Sequence, residues 1–572
     1  MFIMANSSKE EITIDNFDLE ISEQDFQELT SITKEEFHKL RDGFDYQENG
    51  ERKKFQGVFN KYRFNASIAE FKSKKEQLAD YFTAEEDIFE LIPNQKTNQI
   101  FTPKKVVQMM VDSLEDRDPS IFTRTDTTFI DLYMKSGMYI TEIVKKLFKN
   151  TRKKYRSDKN CLKHIFENQV YGLAPTPILQ GITQSYIFGF DTDREISRKN
   201  FIQHDLTPNK LEDLTKGKLH KLLSIDENMK FDTVIGNPPY QDKGGSGGNN
   251  DAPIFQHFSR IATSLSTNYA SLIIPARWFA AGRENLLGDF RKDMLNSGLI
   301  EKLQVFSDSS TLFPDVEIKG GVCIYLENKN HNSTQCLYEL IQNGRSQRSN
   351  IQLNAFDILI REPILAGIVA KVDKKRKKSN LVTVDTIISS DTPFGIPSNP
   401  KSSKKTPFKV YDTISTEHDI LLFHIEKLVR KVEYVKRSDI RKNVNAIDKY
   451  KVFITGSGGS GNDSKVMGYP ELAPPNSVCS QSYLYSAFKT KKEAEDFMKY
   501  IRTKFFRAIV SAIKITQSAP SKTYKFVPLE ILGEDSNINW DKSISNIDKE
   551  LYEKYELSKD EIEYIENKIT YL

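Results

Sequence analysis

Residues 231–241 read Phe-Asp-Thr-Val-Ile-Gly-Asn-Pro-Pro-Tyr-Gln, a β-rich apolar run that passes through glycine into two consecutive prolines. No other stretch restricts its own fold so tightly. Residues 231–235 have the make-up of a strand, and each proline then fixes φ and removes an N–H donor. The strand must therefore stop and continue as a stiff, extended loop. Around it the pattern repeats. TTFIDLY, QVYGLA, FDTVIGN, YASLIIPA and GVCIYLE read as strands, and TPKKVVQMMVDSL, MYITEIVKKLF and PIFQHFSRIATSL read as helices. This alternation between 96 and 330 predicts an α/β fold, a mostly parallel twisted sheet with helices on both faces. In such a sheet ligands bind beyond the carboxyl ends of the strands, which is where the 236–240 loop falls.

The chain of 572 residues is long enough for two to four domains. Four domains are expected: a helical region at 1–95, the α/β domain at 96–335, an α+β domain at 336–542 and a helical tail at 543–572. The tail's last helix is predicted to start at Ser558, with Glu561 three residues on, a capping-box spacing. Residues 371–442 hold 17 Lys and Arg against 9 Asp and Glu. The whole chain carries only +3, so any polyanion contact must come from that local excess. Cys161, Cys323, Cys336 and Cys479 form no CxxC pair, which predicts isolated thiols in a reducing compartment. The N-terminus lacks the basic start and long apolar stretch of a signal peptide, and no run of about 18 apolar residues occurs. A cytoplasmic protein without a membrane span is expected.

The chemistry suited to the 236–240 loop follows from its donors and acceptors. An exocyclic amine conjugated with a purine ring is a poor nucleophile because its lone pair is delocalised. Two fixed oxygens, one on each N–H, draw that nitrogen towards a tetrahedral geometry. The Asn237 side-chain carbonyl and the Pro238 backbone carbonyl are placed to supply them, and Pro239 stiffens the pair. Tyr240 is then suited to stack on the base, once that base has left its duplex. A plain turn after a strand is the bland reading of Asn-Pro, but the full tetrapeptide at a strand end is rare by composition.

At these residues the chain resembles the adenine-specific DNA methyltransferases of restriction-modification systems, the Eco57I-like methylase family. The resemblance extends from about 95 to the C-terminus, with segments in the family's order. It implies a Rossmann-like methyltransferase domain, S-adenosylmethionine as cofactor, catalysis by Asn237, Pro238, Pro239 and Tyr240, and a C-terminal target-recognition domain. Thr102 and Pro103, opening a helix, resemble the segment that meets the methionine end of the cofactor. FIDLYMKSGMYITEI, residues 129–143, resembles the cofactor loop, with Asp131, Ser136 and Gly137 as binding residues. Leu132, Tyr133, Met134 and Lys135 depart from the family's usual Pro and small residues there, although a Lys before Ser-Gly occurs in one branch of the family. Position 174, where the family carries a ribose-binding acid, is Ala. Asp205 resembles the residue that bonds the cofactor's adenine, and Phe255 opens a helix that in relatives packs beside the target base, with core packing the favoured role for the ring itself.

The resemblance further implies double-stranded DNA as partner, with a separate restriction endonuclease or none. The glycine-rich stretch 242–251 lacks the GxxxxGK[ST] pattern of a phosphate-binding loop, and no metal is expected. Two other readings stay open: an amino-methyltransferase acting on RNA or protein glutamine, and a DNA-binding or partner-dependent homologue with impaired catalysis.

Overall fold

The apolar runs assemble into one large sheet because most are too hydrophobic to leave a face in water. The structure, a computed structural model, describes residues 12–30, 32–48, 51–74, 102–188, 195–206, 230–241, 252–280, 284–313, 318, 320–401, 408–458, 464–514 and 519–572. A hairpin of β1 (Phe44–Glu48) and β2 (Glu51–Phe55) precedes the sheet. The sheet's strands are β3 (Phe129–Asp131), β4 (Val170–Ala174), β5 (Phe201–Gln203), β6 (Phe231–Gly236), β7 (Ser266–Pro275), β8 (Ile300–Phe306), β9 (Val322–Asn328), β10 (Gln335–Gln342) and β11 (Arg345–Gln352). Their spatial order is β11-β10-β8-β9-β7-β6-β3-β4-β5. Strands β5 to β7 pair in parallel throughout, and β9 and β11 run against their neighbours. All of β3 and β4 is buried, as expected for parallel strands covered on both sides.

The expected α/β fold is thus present, and the order of the strands places the site. From β3 the chain moves outward to β4 and β5, then returns to add β6 on the other side of β3. That reversal separates the loops leaving β3 and β6 and opens a crevice at their carboxyl ends. Asp131 ends β3, and Asn237 directly follows β6.

Three expectations about organisation change. The boundary at 335/336 falls inside the sheet, because β10 pairs in parallel with β8, and the first compact unit runs through Leu353. Asn343 and Gly344 join β10 to β11, both with positive φ, and Asn-Gly between two strands is a strong hairpin signal. The N-terminal region is not purely helical. Helices α1 (Glu23–Thr30), α2 (Lys34–Asp42) and α3 (Lys61–Lys74) accompany the β1–β2 hairpin. Its Phe17, Phe26, Phe37 and Phe64 share one hydrophobic core with the sheet, so it belongs to the same unit. The tail at 543–572 likewise joins the second unit's core through Ile547, Leu551 and Ile565.

Within the first unit, α4 (Lys104–Arg117) packs on α5 (Met138–Thr151), and α5 also lies against β3 and β4. Helix α6 (Pro177–Ile187) covers β4 and β5, and α7 (Phe255–Leu265) covers β6 and β7. The second unit comprises residues 278–291 and 354–572. Among the described residues it holds two three-stranded sheets, helices and buried hydrophobic clusters, an α+β arrangement. Its final helix, Lys559–Lys568, starts with the expected capping box of Ser558 and Glu561. The four cysteines are buried free thiols. Among the described residues no helix is long and apolar enough to cross a membrane, and no His, Cys, Asp or Glu cluster is arranged to hold a metal.

Candidate active site

The crevice between the ends of β3 and β6 holds a small cavity of about 10 Å³. It is lined by Thr102, Asp131, Tyr133, Lys135, Ser136, Gly137, Met138, Tyr139 and Asn237. Five of the residues singled out in the sequence, more than 130 positions apart at the extremes, therefore meet in one place.

On the β6 side the loop is rigid and mostly apolar. Asn237, Pro238 and Pro239 are buried, and Tyr240 is half-buried. The Asn237 amide donates from Nδ2 to the Thr102 hydroxyl at 3.0 Å. Its Oδ1 is buried without a hydrogen-bond partner. A buried carbonyl left without a donor is costly, so one aimed into a cavity marks a place where a ligand N–H fits. Thr102 sits just before α4, whose N-terminal cap is Pro103 rather than a residue with a side-chain acceptor. The Pro103 carbonyl accepts from Val106 and Val107 N–H, at 2.9 and 3.1 Å. Tyr240 turns its hydroxyl inward, buried and without a partner, and burial pushes that phenol well above its ordinary pKa. After Tyr240 the chain is tied by a bridge between Gln241 and Pro253, and the glycine-rich stretch 242–251 lies outside the described residues.

On the β3 side the loop is pinned by its own backbone. Tyr133 N–H donates to the Asp131 carboxylate at 2.9 Å, and Met134 N–H to the Leu173 carbonyl at 2.7 Å. The Met134 side chain packs over Gly172, where a Cβ would meet its sulfur at 2.1 Å. Gly137 caps α5 at φ 78°, a conformation that suits glycine. Across the crevice, a Cβ on Gly236 would stand 2.8 Å from Asp131 Oδ1, so the glycine of β6 leaves room for the carboxylate of β3.

Burial dominates the electrostatics. It pushes the Asp131 carboxyl up to about 7, against the Tyr133 N–H and the positive charge of Lys135. It pulls the Lys135 ammonium down to about 8, against the negative charge of Asp131. Lys135 also lies 5.5 Å over the Tyr133 ring. The Tyr139 phenol is pushed up by burial and donates to Met110 Sδ at 3.2 Å.

Six expected site residues, Pro103, Pro238, Pro239, Tyr240, Asp205 and Phe255, do not line the cavity. Asp205 follows β5, half-buried, with Oδ1 unpartnered and its charge acting on Tyr133. Phe255 is fully buried at the start of α7 and does not line the cavity. It opens an amphipathic helix that packs on β6 and β7. Conversely, Tyr133, Lys135, Met138 and Tyr139 line the cavity without having been singled out. The first two lie in the segment that departs from the family's pattern.

The cavity has room for about one water molecule. The donor set nevertheless fits the amino-acid end of S-adenosylmethionine, with a carboxylate for its ammonium and hydroxyls from Thr102 and Ser136 nearby. A ligand of that size is far larger than the cavity as it stands.

Residues 168–313 match the Eco57I restriction-modification methylase family, which bears out the resemblance seen at 231–241. That segment contains β4 to β8 and the Asn-Pro-Pro-Tyr loop. Over that segment the chain is similar to restriction-modification methylases. Over 367 residues the chain is 25% identical to a Mycoplasma pneumoniae protein described as an uncharacterized adenine-specific methylase, covering 53% of this chain and 87% of that one. Among solved structures, the type IIL restriction-modification enzyme MmeI in complex with DNA matches at a TM-score of 0.49 and 10% identity, over 91% of this chain and 85% of that one. The type I restriction-modification methyltransferase subunit from Streptococcus thermophilus matches at 0.32 and 14% identity, over 52% of this chain and 61% of that one. The chain thus spans roughly three fifths of the type I subunits it matches, 58% and 61%.

Proposed function

We propose that this chain transfers a methyl group from S-adenosylmethionine to N6 of an adenine flipped out of double-stranded DNA, as the modification component of a restriction-modification system. The observation that carries this reading is the Asn237 side chain. Its Nδ2 is anchored on Thr102 while its buried Oδ1 has no partner. An acceptor held in that way is prepared to take one amine N–H, and the Pro238 carbonyl takes the other. Both bonds strengthen as the nitrogen becomes tetrahedral, so they favour the transition state over the planar ground state. S-adenosylmethionine supplies a sulfonium methyl for a single in-line displacement, in which the N–C bond forms as the C–S bond breaks. The proton leaves the amine after transfer, so no dedicated base is needed. Asp131 holds the cofactor's ammonium, Ser136 and Gly137 line its amino-acid end, and Asp205 faces its adenine. Tyr240, its hydroxyl already turned inward, offers a ring face to the base.

The second unit is the candidate for target recognition. Its basic stretches are largely ion-paired among themselves. Lys371 meets Glu561, Arg376 and Lys377 meet Asp373, Lys401 meets Glu433, and Lys436 meets Glu417. Several of the carboxylates are largely buried while their lysines reach the surface, so the cations can reach phosphates as well.

A methylase-like DNA binder without turnover is the second reading, favoured by the cavity of about 10 Å³ and by Ala174 at the ribose position. The deciding experiment expresses the gene in a host that lacks adenine methylation and reads genomic DNA base by base. N6-methyladenine at one recurring sequence, absent with Asn237→Ala, is the expected result. An unmethylated genome despite soluble expression, together with no cofactor binding by the pure protein, favours the second reading.

A further inference from the structure

The segment that departs most from the family's pattern also supplies the cavity's charged wall. Lys135 is only 7% exposed and lines the same cavity as Asp131 and Asn237. The loop's bonds to Asp131 and Leu173 and the packing of Met134 on Gly172 fix the backbone around it. Among the described residues that line the cavity, Lys135 is the cation and Asp131 the anion. The amino-acid end of S-adenosylmethionine is a zwitterion with one ammonium and one carboxylate. Burying it demands a partner of opposite sign for each end, because an unpaired buried charge is far costlier than a paired one. The chain holds such a complementary pair already, each member partly offsetting the other's burial.

We propose that Lys135 is the residue that binds the cofactor's carboxylate, and that it pairs with Asp131 only while the site is empty. On binding, the zwitterion inserts between them. Asp131 takes the ammonium, Lys135 takes the carboxylate, and neither charge is left without a partner. The replacement of the family's small residues by Tyr133-Met134-Lys135 is then an alternative way of building the pocket. This rests on the cofactor reading above and adds to it the identity of the carboxylate site.

The test is calorimetric titration of the full chain with S-adenosylmethionine and with decarboxylated S-adenosylmethionine, which keeps the ammonium and lacks the carboxylate. Wild type is expected to prefer the complete cofactor. Lys135→Met should weaken S-adenosylmethionine by about ten- to a hundredfold, the range for a hydrogen-bonded charge. It should leave the decarboxylated compound unchanged or slightly tighter, since Asp131 is then freed for the ammonium. Lys135→Arg should restore part of the loss. Equal weakening of both ligands, or no weakening of either, overturns the carboxylate role. Failure of folded wild type to bind either compound overturns the cofactor reading itself and this inference with it, a result distinct from a loss confined to the variant.

Discussion

The loops that leave β3 and β6 face each other across one crevice but were built by different means. The β6 loop takes its rigidity from covalent structure, two prolines that need little help from neighbours. The β3 loop takes it from tertiary contacts: a backbone N–H on Asp131, another on Leu173, a methionine seated over a glycine, and a left-handed Gly137. A loop of the first kind keeps its sequence wherever it keeps its shape. A loop of the second kind can change most of its residues and hold the same place, provided the contacts around it change too. Substitutions on the two sides should therefore fail differently, the first in turnover and the second in cofactor affinity.

The largest effect is expected from Asn237→Ala. Removing the unpartnered Oδ1 takes away an acceptor used most strongly in the transition state, so turnover should fall by about 10²- to 10³-fold or more. Titrated affinity for S-adenosylmethionine should stay within a few-fold of wild type. A variant that methylates DNA normally would remove the β6 loop from catalysis. Asp131→Ala should do the converse, weakening the cofactor by about tenfold or more through loss of a buried charge partner. Its rate at saturating cofactor should be spared. Equal effects of the two substitutions on both quantities would erase the distinction between the loops.

An intermediate effect is expected from Thr102→Val, which keeps the shape and deletes the acceptor for Asn237 Nδ2. The amide then loses its anchor, and turnover should drop by about tenfold, the worth of one ordinary hydrogen bond. Unchanged turnover would mean that the prolines alone fix Asn237.

What was readable in the sequence follows the same division. The β6 strand and its loop were legible because apolar residues and prolines act locally. The strands β3, β4, β7 and β9 were legible for the first of those reasons. Strand β8 was not, since Ile-Glu-Lys-Leu-Gln-Val-Phe mixes polar and apolar residues, with Lys302 and Gln304 held by Ser113 and Glu339. The β10–β11 hairpin carried an Asn-Gly signal that a boundary placed at 335/336 cut away. In the site, Asp131, Thr102 and Asn237 were found from motif position. Lys135 was in view only as a departure from pattern, because its partner, Asp131, is recognised by burial and charge in three dimensions. Phe255, for which core packing was the favoured reading beside a place near the target base, is buried at the start of its helix.

The smallest effect, and the one that most sharpens the comparison, is the pH dependence of the β3 side. Asp131 must be ionised to hold an ammonium and Lys135 protonated to hold a carboxylate. With the first pushed up to about 7 and the second pulled down to about 8, affinity should peak between those values. The other groups facing the pair, the phenols of Tyr133 and Tyr139, are pushed upward and stay neutral over this range. Below pH 7 affinity should fall by up to about tenfold per unit as Asp131 takes up a proton. Stability of the unliganded chain should respond to Asp131 in the other direction. A carboxyl whose folded pKa is raised binds its proton more tightly in the folded state. Its favourable contribution is complete below the unfolded value of about 4 and is lost as pH rises through 7. Between pH 5 and 7 this group therefore stabilises the empty site as it weakens the cofactor. Asp131→Asn should flatten both trends together, measured by thermal melts and titrations over the same pH series. The β6 loop, which holds no group that titrates there, should leave the rate at saturating cofactor flat. A rate that follows the same bell would place the titrating pair in the chemical step and join the two loops into one functional unit.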